Sequence, residues 1–295
     1  YLGGFTPLSP IAVNYRPSIE TVTTKLVYGP EEPSGVNKDK GCQWAMSFLI
    51  KDREGVKEDL QGLSLLSSLL FDFPTSPFFE RFISSGQASG FGNSCGFDKQ
   101  GHFPVFTISL KNVSESEEDR ESIHSQVLDL LASLTSAQFD AAMIESSLHQ
   151  LELSIRQRPA NFGIALLSSL SRSFAYSNDH HVSLTLNVSE GLTKLREKLK
   201  AGNYLQSLIT KYLLHNPSRL DLTMLPRASF AAELRATERE MIAEREKSLT
   251  AADREVITAA NQRLEESQTT KSNVEVLPKL SLSDVSRDIP SINQV

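Results

Sequence analysis

The sequence predicts an α+β fold in which helices pack on an antiparallel sheet and an α-helical hairpin follows. Short segments with β-branched or alternating apolar residues indicate strands, and longer segments with apolar residues at helical spacing indicate amphipathic helices. From Ala228 onward the chain changes to highly charged helices with narrow apolar stripes. These shifts predict four parts: an N-terminal linker (1–20), the α+β domain (21–226), the hairpin (227–270) and an extended linker (271–295).

Five segments carry strand signals, either β-branched side chains or alternation of apolar and polar residues. They are residues 21–28, 43–50, 87–97, 102–110 and 219–225. The third and fourth segments are expected to form an antiparallel pair joined near Gly101. In the last segment Leu220, Leu222 and Met224 are expected on one face of the sheet, with Asp221 on the other.

Apolar residues at helical spacing predict a core-facing helix over residues 56–70. The prolines within residues 73–77 end it, because the residue before a proline avoids helical geometry. A short helix is expected over residues 78–85, with Gly86 as its left-handed cap.

The middle of the domain is predicted to be helical. The acidic residues 117–119 suit the positive end of a helix dipole and predict the start of a helix there. Thr135 and Gln138 have capping-box spacing and predict the start of a long helix that ends at Pro159. Further helices are expected over residues 161–174, 189–199 and 203–214.

The charged segment after Ala228 predicts two helices joined by a few residues. Phe230, Leu234 and Met241 form the narrow apolar stripe of the first helix, and the second begins at a capping box formed by Thr250 and Asp253. Two such helices are expected to form an antiparallel hairpin. It serves either as a solvated structural element or as a partner-binding coiled coil.

Composition excludes several classes of protein. Apolar residues make up 39% and charged residues 22% of the 295 residues, which is typical of globular proteins. The net charge of −6 disfavours nucleic acid, because phosphate binding needs concentrated Lys and Arg. No stretch approaches the ~20 apolar residues of a membrane span.

The six histidines do not form a zinc-hydrolase motif. His149 has Glu152 three residues later, but Leu153 stands where a second histidine would be needed. His180 and His181 could be a ligand pair on a loop, or part of a polar connection between helices, which is the interpretation we favour. The sequence therefore predicts no catalytic, metal-binding or cofactor-binding residue in this chain.

Neither the cysteines nor any other motif supplies a nucleophile or a phosphate site. Cys42 and Cys95 form no C-x-x-C pair, and they are expected to be reduced thiols of an intracellular protein. Asn112 and Asn187 lie in sequons for N-glycosylation, which are too short to carry weight. The first residue is Tyr1 and no leader peptide is visible, so the chain is expected to be part of something longer.

Several strings, taken in order, resemble the presequence protease and falcilysin subfamily of the pitrilysin-type metallopeptidases. The strings are LLFDFPTSPFF (69–79), ISSG (83–86), LHQLELSIR (148–156), NFG (161–163), NPSRL (216–220) and LPKLSLSDV (277–285). Each alone is weak, but the ordered set is specific and spreads over most of the chain from about residue 20. A departure lies at residues 178–181, where the family usually has a Gly-Asp-Pro-like turn.

The resemblance implies the second, non-catalytic unit of such a peptidase. In the family, related α+β units form two halves that close around a peptide, and one helix of the first unit carries an HxxEH zinc motif. Residues 56–70 are the counterpart of that helix and hold Leu and Ser at the ligand positions. Zinc is therefore implied for the parent protein and not for this chain.

The resemblance also implies partners and a substrate class. The partners would be the catalytic domain and the C-terminal half of the parent peptidase, with residues 228–269 tethering the halves. The substrates would be short unfolded peptides, and the location an organelle lumen, mitochondrial or other. The alternative is a stand-alone degenerate subunit that serves interaction without peptidase activity. A small enzyme that uses His180 and His181 is a third interpretation.

Overall fold

A computed structural model of the chain describes residues 22–30, 40–99, 103–156, 161–176, 188–270 and 281–284. The chain divides into two compact units, residues 1–231 and 232–295. Within the described ranges, no helix is long and apolar enough to cross a membrane.

The first unit has a mixed α+β fold built on one six-stranded sheet, as predicted. Its strands are β1 (Thr23–Pro30), β2 (Cys42–Leu49), β3 (Gly90–Phe91), β4 (Gly96–Asp98), β5 (Val105–Val113) and β6 (Arg219–Arg227). The strand order is β1-β6-β2-β5-β3, and β4 also pairs with β5. All pairs are antiparallel except that β1 runs parallel to β6, so the sheet is mixed and not wholly antiparallel.

The strand predicted over residues 87–97 is in fact two short strands. A turn at Asn93 and Ser94 separates β3 from β4, and both strands pair with β5. Gly96 begins β4 with a φ of +111°, a conformation that favours glycine. The run of small residues was therefore a signal for a turn between strands.

The helices of the first unit include two π-helical segments. The α-helices are α1 (Arg53–Lys57), α2 (Leu60–Phe71), α3 (Glu117–Leu134), α4 (Ala141–Arg156), α5 (Phe162–Tyr176), α6 (Val188–Lys200) and α7 (Tyr204–Leu208). The π-helical segments are Phe79–Ser84 and Ile209–Leu214. The helix predicted over residues 203–214 is thus α7 followed directly by a π-helix, a form that apolar periodicity does not reveal.

Two predicted helix starts are wrong. The helix predicted over residues 56–70 is interrupted at Glu58 and Asp59. The Asp59 carboxylate accepts hydrogen bonds from residues far away in the sequence, Tyr204 and Tyr212. The capping box predicted at Thr135 and Gln138 does not form. Thr135 is instead the C-terminal cap of α3, and Asp140 Oδ1 accepts hydrogen bonds from the backbone of the first turn of α4.

The core lies between one face of the sheet and the helices. Fully buried side chains from β2 and β5 meet fully buried leucines of α2, and aromatic rings around Phe71 extend this contact. The central residues are Met46, Phe48, Phe106, Ile108, Leu63, Leu66 and Leu70. Each side chain of this size contributes about 1.5–3 kcal/mol when fully buried.

The second unit contains α9 (Ala251–Thr269) and nearly all of α8 (Phe230–Lys247). The predicted capping box is confirmed, since Asp253 N donates to Thr250 Oγ1 and Thr250 N donates to Asp253 Oδ2. Six large apolar side chains of the two helices are 45–69% exposed: Leu234, Met241, Ile242, Val256, Ile257 and Leu264. That the two helices pack as a hairpin stays a prediction. Among the residues described after α9, Leu282–Asp284 form a 3-10 turn.

Candidate functional site

The second face of the sheet is not part of the core. In the described residues, the helices pack on the face that carries Met46, Phe48 and Ile108, and the apolar side chains of the opposite face lie outside the core. The strand register defines this opposite face, which we call the open face. The open face includes Lys25, Val27, Leu220, Leu222, Met224, Gln43, Ala45, Ser47, Leu49, Asp98, Val105, Thr107, Ser109 and Lys111.

The open face is mainly aliphatic and hydroxylated, and by register its charged side chains include Lys25, Asp98 and Lys111. Thr107 and Ser109 are only 7% and 5% exposed, so the accessible part of this face lies mainly on β2, β6 and β1. The Ser47 and Thr107 hydroxyls lie 3.1 Å apart across β2 and β5. Gly92 lies directly over Ser109, where a side chain would collide with the serine hydroxyl. The central part of this surface, on β2 and β6, can contact an extended polypeptide through apolar side chains and hydroxyls.

Helix α2 covers most of residues 56–70, which were predicted to be the counterpart of the family's zinc-binding helix. Its side chains pack in the core or make hydrogen bonds. Leu63, Leu66 and Leu70 are fully buried. The Ser64 hydroxyl donates to the Leu60 carbonyl, and the Ser67 hydroxyl accepts from the backbone N–H of Phe97. These residues do not fit a zinc ion, because zinc takes nitrogen, sulfur or carboxylate ligands.

Asp59 is the centre of a polar cluster that sequence reasoning missed. Its carboxylate accepts hydrogen bonds from Tyr204 and Tyr212, both at 2.8 Å, and from Lys198 at 3.2 Å and Lys211 at 3.4 Å. Burial alone would raise the pKa of Asp59, but the hydrogen bonds from the two tyrosines and Lys198 outweigh it, and the net pKa is lowered. Burial and the Asp59 carboxylate raise the pKa of both tyrosine hydroxyls well above its usual range. The cluster joins the start of α2 to α6, α7 and the second π-helix, and is structural.

A second polar cluster lies between α3 and the sheet. Asp221 Oδ2 accepts from Arg219 Nη2 at 3.0 Å and lies 3.2 Å from His124 Nε2. The Asp221 side chain is only 7% exposed. The predicted alternation in β6 is confirmed, because Asp221 lies on the helix-covered face and Leu220 and Leu222 lie on the open face. This cluster also holds elements together, since it joins α3 to β6.

Of the histidines that raised the question of metal binding, the structure describes His149. His149 is 65% exposed and pairs with Glu145 at 3.2 Å, and Glu145 is bonded to Arg196 at 2.8 Å. His102, His180 and His181 lie outside the described residues. In the part of the chain that the structure describes, no three His, Cys, Asp or Glu residues lie together as a metal site would need.

Both cysteines are free thiols with a raised pKa. Burial raises the pKa of Cys42 and of Cys95 to about 11, which suppresses the nucleophilic thiolate. Asn112 of the first sequon has a φ of +53° and accepts a hydrogen bond from Gln43. Asn187 of the second sequon lies outside the described residues.

A shallow groove of about 530 Å³ lies beside α7, and several of the side chains that line it already make hydrogen bonds within the protein. It is lined by Thr135, Asn203, Gln206, Ser207, Thr210, Lys211 and His215. The Ser207 and Thr210 hydroxyls donate to backbone carbonyls, and Lys211 is bonded to Asp59. The open face is therefore the stronger candidate for a functional surface.

Known proteins share both the fold and the sequence. The family model for the region associated with peptidases of family M16, subfamily C, matches residues 224–295. The mitochondrial presequence protease of Schizosaccharomyces pombe is 33% identical over 262 residues, which are 89% of this chain and 26% of that protein. The mitochondrial presequence protease of Danio rerio is 30% identical over 259 residues, 88% of this chain and 24% of that protein. An inactive peptidase domain from Bordetella parapertussis, 16% identical, has a TM-score of 0.50 and covers 65% of this chain and 94% of that domain.

The fold is thus that of inactive domains of the pitrilysin-type, or M16, peptidases, and the chain is related to this class. Within the class its sequence is similar to the presequence proteases, which confirms the resemblance inferred from the motifs. The chain spans about a quarter of the length of the curated relatives it matches.

Proposed function

We propose that this chain is the non-catalytic unit of a zinc metalloendopeptidase, and that its open face forms part of the wall around the peptide substrate. The observation that carries the proposal is the asymmetry of the sheet. Among the residues that the structure describes, helices cover one face, and the other face presents uncharged residues such as Ala45, Ser47 and Leu222. The central part of such a wall, on β2 and β6, contacts unfolded peptides of varied sequence, because its aliphatic and hydroxyl groups impose no charge requirement.

The zinc ion and the catalytic residues are assigned to other segments of the parent protein. The leucines and serines of α2 support this assignment, because the leucines are buried in the core and the serines make hydrogen bonds to backbone groups. The zinc, when bound elsewhere, would activate the water that attacks the peptide bond. Residues 227–270 are proposed to tether the two halves of the parent protein.

The substrates are proposed to be short unfolded peptides, such as cleaved targeting sequences, and the location is proposed to be mitochondrial. Both proposals rest on the relatives, which are named as mitochondrial presequence proteases. The catalytic unit and the C-terminal half of the parent protein are the proposed partners.

The test is an Ala45→Trp substitution in the intact peptidase, which places a large ring in the middle of the open face. We expect kcat/KM for unfolded peptides to fall roughly tenfold while the zinc content and the unfolding midpoint stay unchanged. The matched control is Leu153→Trp on α4, a position that is 58% exposed and is not part of the open face. If the two variants keep the same wild-type kcat/KM, the open face does not meet the substrate.

The assignment of zinc and catalysis to other segments has a separate test, which uses the 295-residue chain alone. We expect it to bind no zinc stoichiometrically and to cleave no peptide. Tight zinc binding at one ion per chain, or peptide cleavage without added segments, would overturn the assignment of catalysis to other segments.

A further inference from the structure

The sheet has one long and regular edge. Strand β1 pairs with β6 over eight residues without a break in register, from Thr23 opposite Leu220 to Pro30 opposite Arg227. Within the described ranges, β6 is its one strand partner. In a parallel pair, alternate residues of a strand direct their N–H and C=O groups away from the neighbour, so the outer side of β1 presents a row of backbone groups.

The side chains of β1 are exposed on both faces of the sheet. Leu26 is 51% exposed and Tyr28 is 43% exposed, and by register both lie on the face that the helices cover elsewhere. Val27 is 37% exposed on the open face. The Arg227 guanidinium lies 3.6 Å from the centre of the Tyr28 ring and covers part of it, yet much of the ring remains uncovered.

The two edges of this sheet are built differently. The opposite edge consists of β3 and β4, which have two and three residues and are separated by a turn. Short interrupted strands are a common way to prevent unwanted pairing at a sheet edge. Strand β1 lacks that protection: it has no bulge, Lys25 is its one charged residue, and its proline is the last residue.

We infer that in the intact protein the outer edge of β1 pairs with a β-strand from the polypeptide outside these 295 residues. Such a strand would satisfy the outward backbone groups and cover Leu26, Val27 and Tyr28. The inference rests on the proposal that the chain is part of a longer protein; the relatives that match it are about four times as long, and a parent of that length has ample polypeptide to supply the strand. The inference concerns β1 and holds whether or not the open face meets peptides.

The first experiment measures amide hydrogen exchange in the intact protein without peptide, at a concentration where it is monomeric. We expect the outward-facing amides of residues 23–29 to exchange at least roughly tenfold more slowly than amides of an unstructured peptide. The amides of β5 inside the sheet serve as the folded control. Unprotected β1 amides beside protected β5 amides would overturn the inference.

The second experiment identifies the strand by placing the photoreactive residue p-benzoylphenylalanine at position 28. A cross-link to a segment outside these 295 residues of the same molecule supports the inference. A cross-link to residues 1–295, to a second copy or only to an added peptide overturns it in favour of that occupant, and so does the absence of any cross-link. The same probe at Leu153 controls for non-specific capture. Since neither experiment measures turnover, failure here is distinct from failure of the open-face proposal.

Discussion

The hydroxyl of Tyr212 donates a hydrogen bond of 2.8 Å to the carboxylate of Asp59, although 153 residues separate the two in the sequence. Tyr204 donates to the other oxygen of the same carboxylate, and both lysines of the cluster approach it. The Asp59 side chain is 13% exposed, so its charge is shielded from water and compensated mainly by protein groups. These hydrogen bonds connect the start of α2 to α6, α7 and the second π-helix.

Removing this charge should destabilise the protein. We expect Asp59→Asn to lower the free energy of unfolding by about 1.5–3 kcal/mol, because hydrogen bonds to a charged acceptor are replaced by weaker or mismatched ones. Urea denaturation followed by circular dichroism measures the change. The matched control is Glu246→Gln, which removes an exposed pair with Arg254 at 3.3 Å and should cost less than about 1 kcal/mol. Equal losses in the two variants would contradict a special role for Asp59.

The same cluster predicts a pH dependence with a definite sign. The pKa of Asp59 is lowered from its ordinary value of 3.8, so the folded state favours the carboxylate. Its stabilising contribution is present above pH 3.8 and is lost as the pH falls through the lowered pKa of the folded state. Urea titrations of wild type and Asp59→Asn should therefore differ most at neutral pH and converge in strong acid. A difference that grows on acidification would contradict this sign.

Local patterns predicted most of the elements but few of their partners. The alternation in β6 and the stripe in α2 are consequences of periodicity, so they could be found from the sequence. The place of β1 beside β6 could not, because nothing local marks a parallel pairing across nearly the whole domain. The Asp59 cluster was hidden for the same reason. The open face could be predicted in part: the residues that β6 contributes follow from alternation, but their neighbours on β2 depend on the strand register.

Gly62 on α2 is expected to resist substitution. A methyl group at this position would lie 2.8 Å from two carbons of the Tyr204 ring, whose hydroxyl is held by Asp59. Overpacking of this kind costs about 1–3 kcal/mol, which exceeds the ~1 kcal/mol that alanine gains over glycine in a helix. Gly62→Ala should therefore lower the urea midpoint.

Gly191 on α6 supplies the control for Gly62. A methyl group there would meet the amide end of Gln61, a flexible side chain that can move away. Gly191→Ala is therefore expected to be neutral or to stabilise the protein by up to ~1 kcal/mol. If both alanine variants stabilise, the ring of Tyr204 is free to shift and the cluster is looser than its geometry indicates.

We predict that α8 packs on α9 in one definite register. If the chain reverses around Leu249, Leu234 faces Leu264 and Met241 faces Ile257, so that apolar residues meet along both helices. The double variant Leu234→Cys/Leu264→Cys should then form a disulfide under mild oxidation, because facing positions bring the Cα atoms near the ~5.5–6 Å that a disulfide needs. The control pair Leu234→Cys/Val256→Cys is shifted by eight residues, roughly 12 Å along a helix, and should not form one. Disulfide formation by both pairs, or by neither, would show that the exposed stripes do not pack on each other as a hairpin.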